Sequence, residues 1–513
     1  MDFITGASEN NKRIAKNTLF LYIRMFFVLV VSIYTTRVVL KTLGVEDFGI
    51  YNVVCGFVSM FAFFNTTMSN GIQRFYNFEA GRGTKVDVTK VYRTAVLIQA
   101  SIAIIILLLL EVIGIWYINN KMVIPDSRLF AANWVFQFST FSLIFLILQI
   151  PYSAAIIAHE HMDYYAVVSM VDVVLKLIIV LILPCYPDDK LVFWGILSLI
   201  VSGLNFFANL IYAKLKFSEL KFKFVFYKEQ FKSILSFTGW NLIEMFAWMT
   251  QGQGVNMVIN LFFGPVINAA RGIAMQVQNA VQGFCTNLVT AFRPQIIQSY
   301  AQEEYVRTKK MMYSLSKIMF LFFFLISMPL VVEMDFVLNL WLDYEVPEYT
   351  ASFAILMIVS MYPRNFVAAF SQIIHASGIM KKYQLWSAAI IAGVLPFSYL
   401  ILKMGYPPTS VYWINLVFCV MLFVVCLKLL QSIFPFGTGE YIKEVILPCA
   451  LVAAITVVFL FLAKSALHEG WPRLILISVI STSATLAGSY CLALNKQERS
   501  LIQSMIIKKL KMN

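Results

Sequence analysis

FTGWNLIEMFAWMTQGQGVNMVINLFF, residues 237–263, is the stretch whose reading decides the fold. Its length suits a transmembrane helix, because about 20 residues rising 1.5 Å each cross the hydrocarbon core. Wound as a helix, it places Trp240, Asn241, Glu244, Trp248 and Gln251 at i, i+3 and i+4 spacings on one face. Each Leu, Ile, Val or Phe at a helix centre contributes about 0.3–0.6 kcal/mol to insertion, whereas one Glu takes back about 2.5–3.5. The amides take back more, and Gly252 and Gly254 weaken the helix and invite a bend. Such a helix is marginal alone in lipid. Its polar stripe is expected to face a protein interior, either tying neighbouring helices together or bordering a solute path. The mixture of carboxylate, amide and indole favours the path.

The rest of the chain has the same character. Of 513 residues, 60% are hydrophobic and 13% charged, and the mean hydropathy is +0.77. Apolar runs recur along the whole length, which predicts an all-α polytopic membrane protein of about fourteen transmembrane helices. The formal charge of +13 does not point to nucleic acid. Its lysines and arginines gather in the termini and in alternate loops, which predicts cytoplasmic termini. The first apolar run is too long for a cleaved signal peptide. The seven cysteines are scattered without CxxC spacing, so neither a disulfide nor a metal site is expected.

Several charged residues fall inside or at the ends of these helices. Arg24 lies deep in the first helix and is expected to face a cavity; Arg37, nearer its end, reads as an interfacial residue. Asp172 and Lys176 are an i, i+4 pair, read first as an ion pair joining helices and second as a solute contact. His159-Glu160-His161 reads as a solvated turn. Residues 214–232 interleave lysines with Phe217, Phe222, Phe224, Phe226 and Phe231, as a segment resting on anionic headgroups would. Arg271, Gln278 and Gln282 share a helix face. Arg364 follows a helix-breaking Tyr362-Pro363. The two last helices are almost free of charge and either line a route or brace their neighbours. The tail 495–513 reads as a basic amphipathic segment on the inner leaflet.

The Leu43-Gly44-x-x-x-Phe48-Gly49-x-Tyr51 loop, the arginine at position 24 and the Gln73-Arg74-Phe75 end of the second helix resemble the Wzx-type polysaccharide-biosynthesis flippases. These belong to the multidrug/oligosaccharidyl-lipid/polysaccharide exporter superfamily. The resemblance implies two six-helix lobes in a V, with two extra C-terminal helices. It divides the chain into an N-lobe (1–213), a linker (214–232), a C-lobe (233–431), two further helices (432–494) and a tail (495–513). It also implies a cargo of undecaprenyl-diphosphate-linked oligosaccharide, moved from inner to outer leaflet by alternating access, in company with membrane lipids and other polysaccharide-assembly proteins.

An internal repeat supports two related halves. Adding 220 to Gly44 gives Gly264, and adding 220 to Arg24 gives Glu244; Arg74 matches Arg293 with a slip of one. On this reading Arg24 and Arg271 hold the diphosphate, because a guanidinium stays charged and grips phosphate bidentately. Asn241, Trp240, Trp248, Gln251, Gln278 and Gln282 contact sugars. Glu244 carries a proton or balances the arginines. Arg37, Arg74, Arg293, Arg364, Asp172 and Lys176 are secondary candidates. No cofactor is expected, with proton or sodium coupling as the energy source. A drug/cation antiporter of the same superfamily is the nearest rival. A polyprenyl-dependent glycosyltransferase or polymerase is the second, disfavoured by the short loops; the expected protein is not an enzyme.

Overall fold

The computed structural model describes residues 2–62, 65, 68, 69, 71–73, 75, 76, 85–159, 161–218, 220, 223–342, 346–377, 380–494 and 499. Every regular element among them is helical. In chain order these are α1 (Asp2–Ser59), α2 (Lys85–Leu109), α3 (Leu129–Ala158), α4 (Met162–Ile182), α5 (Lys190–Lys216), α6 (Lys228–Ala301), α7 (Tyr305–Val332), the short α8 (Met334–Leu342), α9 (Thr350–Ser377), α10 (Met380–Lys403), α11 (Ser410–Gln431), α12 (Leu447–Ala466) and α13 (Trp471–Gly488). A π turn and a further short helix prolong α2 to Asn120. Twelve helical stretches among the described residues are long and apolar enough to cross a bilayer. The chain is a multi-pass membrane protein.

Two of the twelve stretches are double. α1 is broken at Gly44 (φ 82, ψ 171) and α6 at Gly264 (φ 74, ψ −171). A positive φ with extended ψ is open to glycine and costly for any residue with a Cβ. The break in α6 reverses the chain. Asn268 follows Asn256 by twelve residues, about 18 Å along a straight helix. Yet its Nδ2 donates to the Asn256 carbonyl at 2.8 Å. The same dihedrals at Gly44 fold α1 back, so that Thr35 from one leg and Tyr51 and Cys55 from the other line a single cavity. The two glycines set 220 apart in sequence thus make the same turn. Counting legs rather than unbroken helices restores the fourteen read from the sequence.

By contact the chain forms two compact units, residues 1–272 with 341–347, and 273–340 with 348–513. The first unit runs to Gly272, and three of its glycines show what ties its last residues to it. A Cβ on Gly49 would sit 1.9 Å from the Pro265 carbonyl oxygen. One on Gly56 would meet the amides of Gln253 and Asn256 at 2.6 Å, and one on Gly272 the amide of Asn52 at 2.8 Å. The second leg of α1 and the α6 hairpin therefore touch backbone to backbone at Gly49, and backbone to side-chain amide at Gly56 and Gly272, the packing that small residues permit in membranes.

The motif around Gly44 now has a physical account. Gly44 makes the turn, Phe48 and Ile50 are buried, Gly49 admits Pro265, and Tyr51 reaches the cavity. Asp47 forms a bidentate pair with Arg128, Nε–Oδ1 2.7 Å and NH2–Oδ2 2.6 Å. The other edge of the same guanidinium holds Asp189 at 2.7 and 3.1 Å. Asp189 also caps α5, accepting from the amides of Leu191 and Val192 at 3.0 and 3.2 Å. Three elements are thus joined through one arginine. Burial pushes the Asp189 carboxyl up, but Arg128 and the two amides outweigh it and hold it below its usual value.

In the second unit α7 is the spine on which the last two helices lie. Lys309 pairs with Glu440 at 2.7 Å. Lys317, 1% exposed, donates to the Ala493 carbonyl at 3.0 Å, where the π turn after α13 leaves carbonyls unpaired. At the other end Lys464 donates to the Val332 carbonyl at 2.9 Å, and Arg473 pairs with Glu333 at 2.7 Å. The C-terminal pair is a clamped brace. The linker contains exposed Phe224 and Phe226. The His159–His161 turn is not freely solvated: His159 stacks on Phe217 at 4.1 Å, and His161 Nδ1 meets the Tyr212 hydroxyl at 3.0 Å. Apart from Arg499, the tail expected over 495–513 lies outside the described residues.

Two outcomes follow from this packing. Gly49→Ala should destabilise the purified protein by about 1–3 kcal/mol, read as a lower melting temperature in detergent. Gly252→Ala, where an added Cβ meets nothing within 4 Å, should be neutral or stabilising. The depressed carboxyl of Asp189 contributes stability above the unfolded value of about 3.9, and loses it as pH falls through the lower folded value. Melting temperature should therefore fall with acidification below about pH 4, and fall less in Asp189→Asn.

Candidate functional site

A cavity of about 690 Å³ lies within the first unit, walled by α1, α3, α4 and α5. Its polar character comes from stripes on single helices. On α4 the stripe is Tyr165, Ser169, Asp172 and Lys176; on α5 it is Trp194, Ser198, Ser202, Asn205 and Asn209. Steps of three and four residues keep each stripe on one helix face. α3 adds Ser139, Ser142 and Gln149, and the second leg of α1 adds Tyr51, Cys55 and Ser59.

The hydrogen bonds decide what this wall offers a solute. Ser169, Ser198 and Ser202 each give their hydroxyl proton to the carbonyl four residues back, at 2.8, 2.8 and 3.0 Å. Asn209 does the same with its amide at 2.8 Å. Their oxygens keep lone pairs and act as acceptors. Ser142 Oγ and Trp194 Nε1 are buried in the wall. Trp194 packs edge-on against Tyr51 with ring centres 5.9 Å apart. Asp172 Oδ2 accepts from Lys176 at 2.8 Å and its Oδ1 from Asn205 at 2.6 Å. The pair read from the sequence is formed within α4, and Asn205 links its carboxylate to α5, but Lys176 is 57% exposed and so the pair is not buried.

The remaining sequence candidates are placed as follows. Arg271 is 4% exposed; its NH2 donates to the Gly252 carbonyl across the α6 hairpin, and its Nε has no partner. It is one member of an amide-rich seam in the first unit. There Asn268 also donates to Asn256 Oδ1 at 2.6 Å, Asn256 donates to the Asn52 carbonyl at 3.1 Å, and Asn260 both accepts from and donates to the Val123 backbone at 2.9 and 3.2 Å. Trp248, Gln251 and Arg37 are half-buried in the first unit; Gln278, Gln282 and Arg364 are half-buried in the second. None of these six lines the cavity. The side chains of Arg24, Trp240, Asn241, Glu244 and Arg293, and all of Arg74, lie outside the described residues. Sequence reasoning missed Trp194, Asn205, Asn209, Asn256 and Asn260. The signal was present as the 4-3-4 polar spacing on α5 and the i, i+4 asparagines on α6.

Fold and cavity together define a polytopic helical membrane protein with a chamber, striped with polar residues, inside its spanning helices. No protein-family model matches the sequence, and no curated protein does. Solved structures with this fold include the lipid II flippase MurJ in an inward closed conformation. It superposes with a TM-score of 0.67 at 14% identity, covering 92% of this chain and 98% of that one. An inward-facing multidrug resistance MATE family transporter of the MOP superfamily gives 0.63 at 12% identity, covering 81% and 98%. The MATE multidrug transporter DinF-BH in complex with R6G gives 0.55 at 15%, covering 82% and 95%. The chain therefore has the MurJ and MATE fold.

Removing the carboxamide of fully buried Asn268 leaves two oxygens of Asn256 without that donor. Asn268→Ala should cost about 1–3 kcal/mol, measured as a fall in detergent melting temperature. The exposed Asn279→Ala should change it little.

Proposed function

We propose that the chain is a flippase that carries a polyprenyl-diphosphate-linked oligosaccharide, such as an O-antigen or capsule repeat unit, from the inner to the outer leaflet by alternating access. The observation that supports this reading best is the chemistry of the cavity. It offers hydroxyl and amide acceptors, the Lys176 ammonium and aromatic faces, which is the complement of a polyol. Its one carboxylate is matched by an ammonium 2.8 Å away, so a cationic drug finds no uncompensated negative charge there. The lipid II flippase of like fold is a precedent for a lipid-linked cargo.

Arg24 and Arg271 remain our assignment for the diphosphate. Arg271 holds a backbone carbonyl in this conformation, and a phosphate oxygen is a stronger acceptor for the same donor. We place the protein in a bacterial inner membrane, and both termini in the cytoplasm from the charge asymmetry of its loops. The MATE transporters of like fold keep the antiporter reading in view; energy-dependent export of a cationic dye would favour it.

The test is Arg24→Ala in a strain that depends on this chain for surface glycan. The expected result is loss of surface glycan by at least about tenfold, with the variant still inserted in the membrane and lipid-linked oligosaccharide accumulating inside. Normal display by an inserted variant removes Arg24 from the mechanism.

A further inference from the structure

The cavity of the first unit carries a selectivity that its charge balance makes specific. Among its lining residues only Asp172 and Lys176 are charged. Both carboxylate oxygens of Asp172 are engaged, one by Lys176 and one by Asn205. The ammonium has three N–H groups, of which one goes to Asp172, and the lysine is more than half exposed on the cavity wall. The site is polar, hydrogen-bonding and without net charge.

Resting on the flippase reading, we propose that Asp172, Lys176 and Asn205 form a subsite for an uncharged sugar residue of the cargo, and that the internal ion pair turns away sugars bearing a carboxylate or an amine. A sugar carboxylate drawn to Lys176 meets the Asp172 carboxylate, whose oxygen is 2.8 Å from that ammonium. A sugar ammonium drawn to Asp172 meets Lys176. Either charged sugar gives up its hydration and finds only an ion already compensated, so its desolvation is not repaid. A neutral sugar carries no such cost. Its hydroxyls accept from the exposed ammonium. The same hydroxyls donate to the serine oxygens of α4 and α5, whose protons are already used. The apolar face of a sugar ring suits the Trp194 and Tyr51 rings. The volume of about 690 Å³ falls within the roughly 300–1,000 Å³ of small-molecule sites.

The experiment uses the full chain purified in detergent, with glucose, N-acetylglucosamine, glucuronic acid and glucosamine as probes and saturation-transfer NMR titrations as readout. The two neutral sugars should bind, and the two charged ones on the order of tenfold more weakly. Lys176→Met uncovers the carboxylate and should move the preference to glucosamine. Asp172→Asn, nearly the same shape, uncovers the ammonium and should move it to glucuronic acid, again by about tenfold. Melting temperatures confirm that each variant is folded. Absence of binding by the wild type, equal binding of charged and neutral sugars, or an unchanged ranking in both folded variants overturns the subsite. Those outcomes leave the flippase reading standing if the wild type still displays glycan. Failure of the wild type to move any lipid-linked glycan overturns that reading instead.

Discussion

A polar group held below the surface of a bilayer has no water to fall back on, so every amide, hydroxyl and charge must find its partner in the protein. That constraint organises this molecule. Asn256, Asn260 and Asn268 are almost fully buried, and each spends its amide on a backbone carbonyl. The serines of α4 and α5 spend theirs on their own helices. Arg128 divides one guanidinium between two carboxylates. What is left over is therefore informative. The serine oxygens of α4 and α5, whose protons are spent within their own helices, face one chamber, and their lone pairs are what its wall presents.

The same constraint explains how much could be read beforehand. Helices were legible because their apolar runs are long, and the turns at Gly44 and Gly264 because glycine ends a run and a 220-residue offset repeats it. The Asp172–Lys176 pair was legible because both residues sit on one helix at the right spacing. Asn205 was not, since its role depends on α5 facing α4, and a facing helix leaves no mark in the sequence of its neighbour. The contact made by Arg271 was hidden in a related way. Its type and depth suggested a phosphate ligand, while its present partner is the Gly252 carbonyl, and any residue could supply a carbonyl. The seam of asparagines belongs to the same class. Each was visible as a residue, yet their meeting requires the hairpin that Gly264 creates.

Fold likeness alone leaves the cargo open, since both a lipid II flippase and multidrug transporters have this architecture at 12–15% identity. The distinction has to come from local chemistry. A multidrug cavity for cations needs negative charge in excess, and this one has none to spare. Its motif residues work at positions away from the chamber floor as well. Asp47 and Gly49 secure the turn and the seam while Tyr51, two residues on, enters the wall, so a single short segment couples the packing of α1 to the shape of the chamber.

The attachment of the last two helices bears on how chains of this architecture can differ in length. Without α12 and α13, Lys317 would lose the Ala493 carbonyl and Glu333 its arginine, leaving a carboxylate uncompensated at the end of α7. A shorter descendant could not arise by deleting the C-terminal segment alone. It would first need apolar replacements at both positions, so the record of any such loss would be written in the helix that stayed behind.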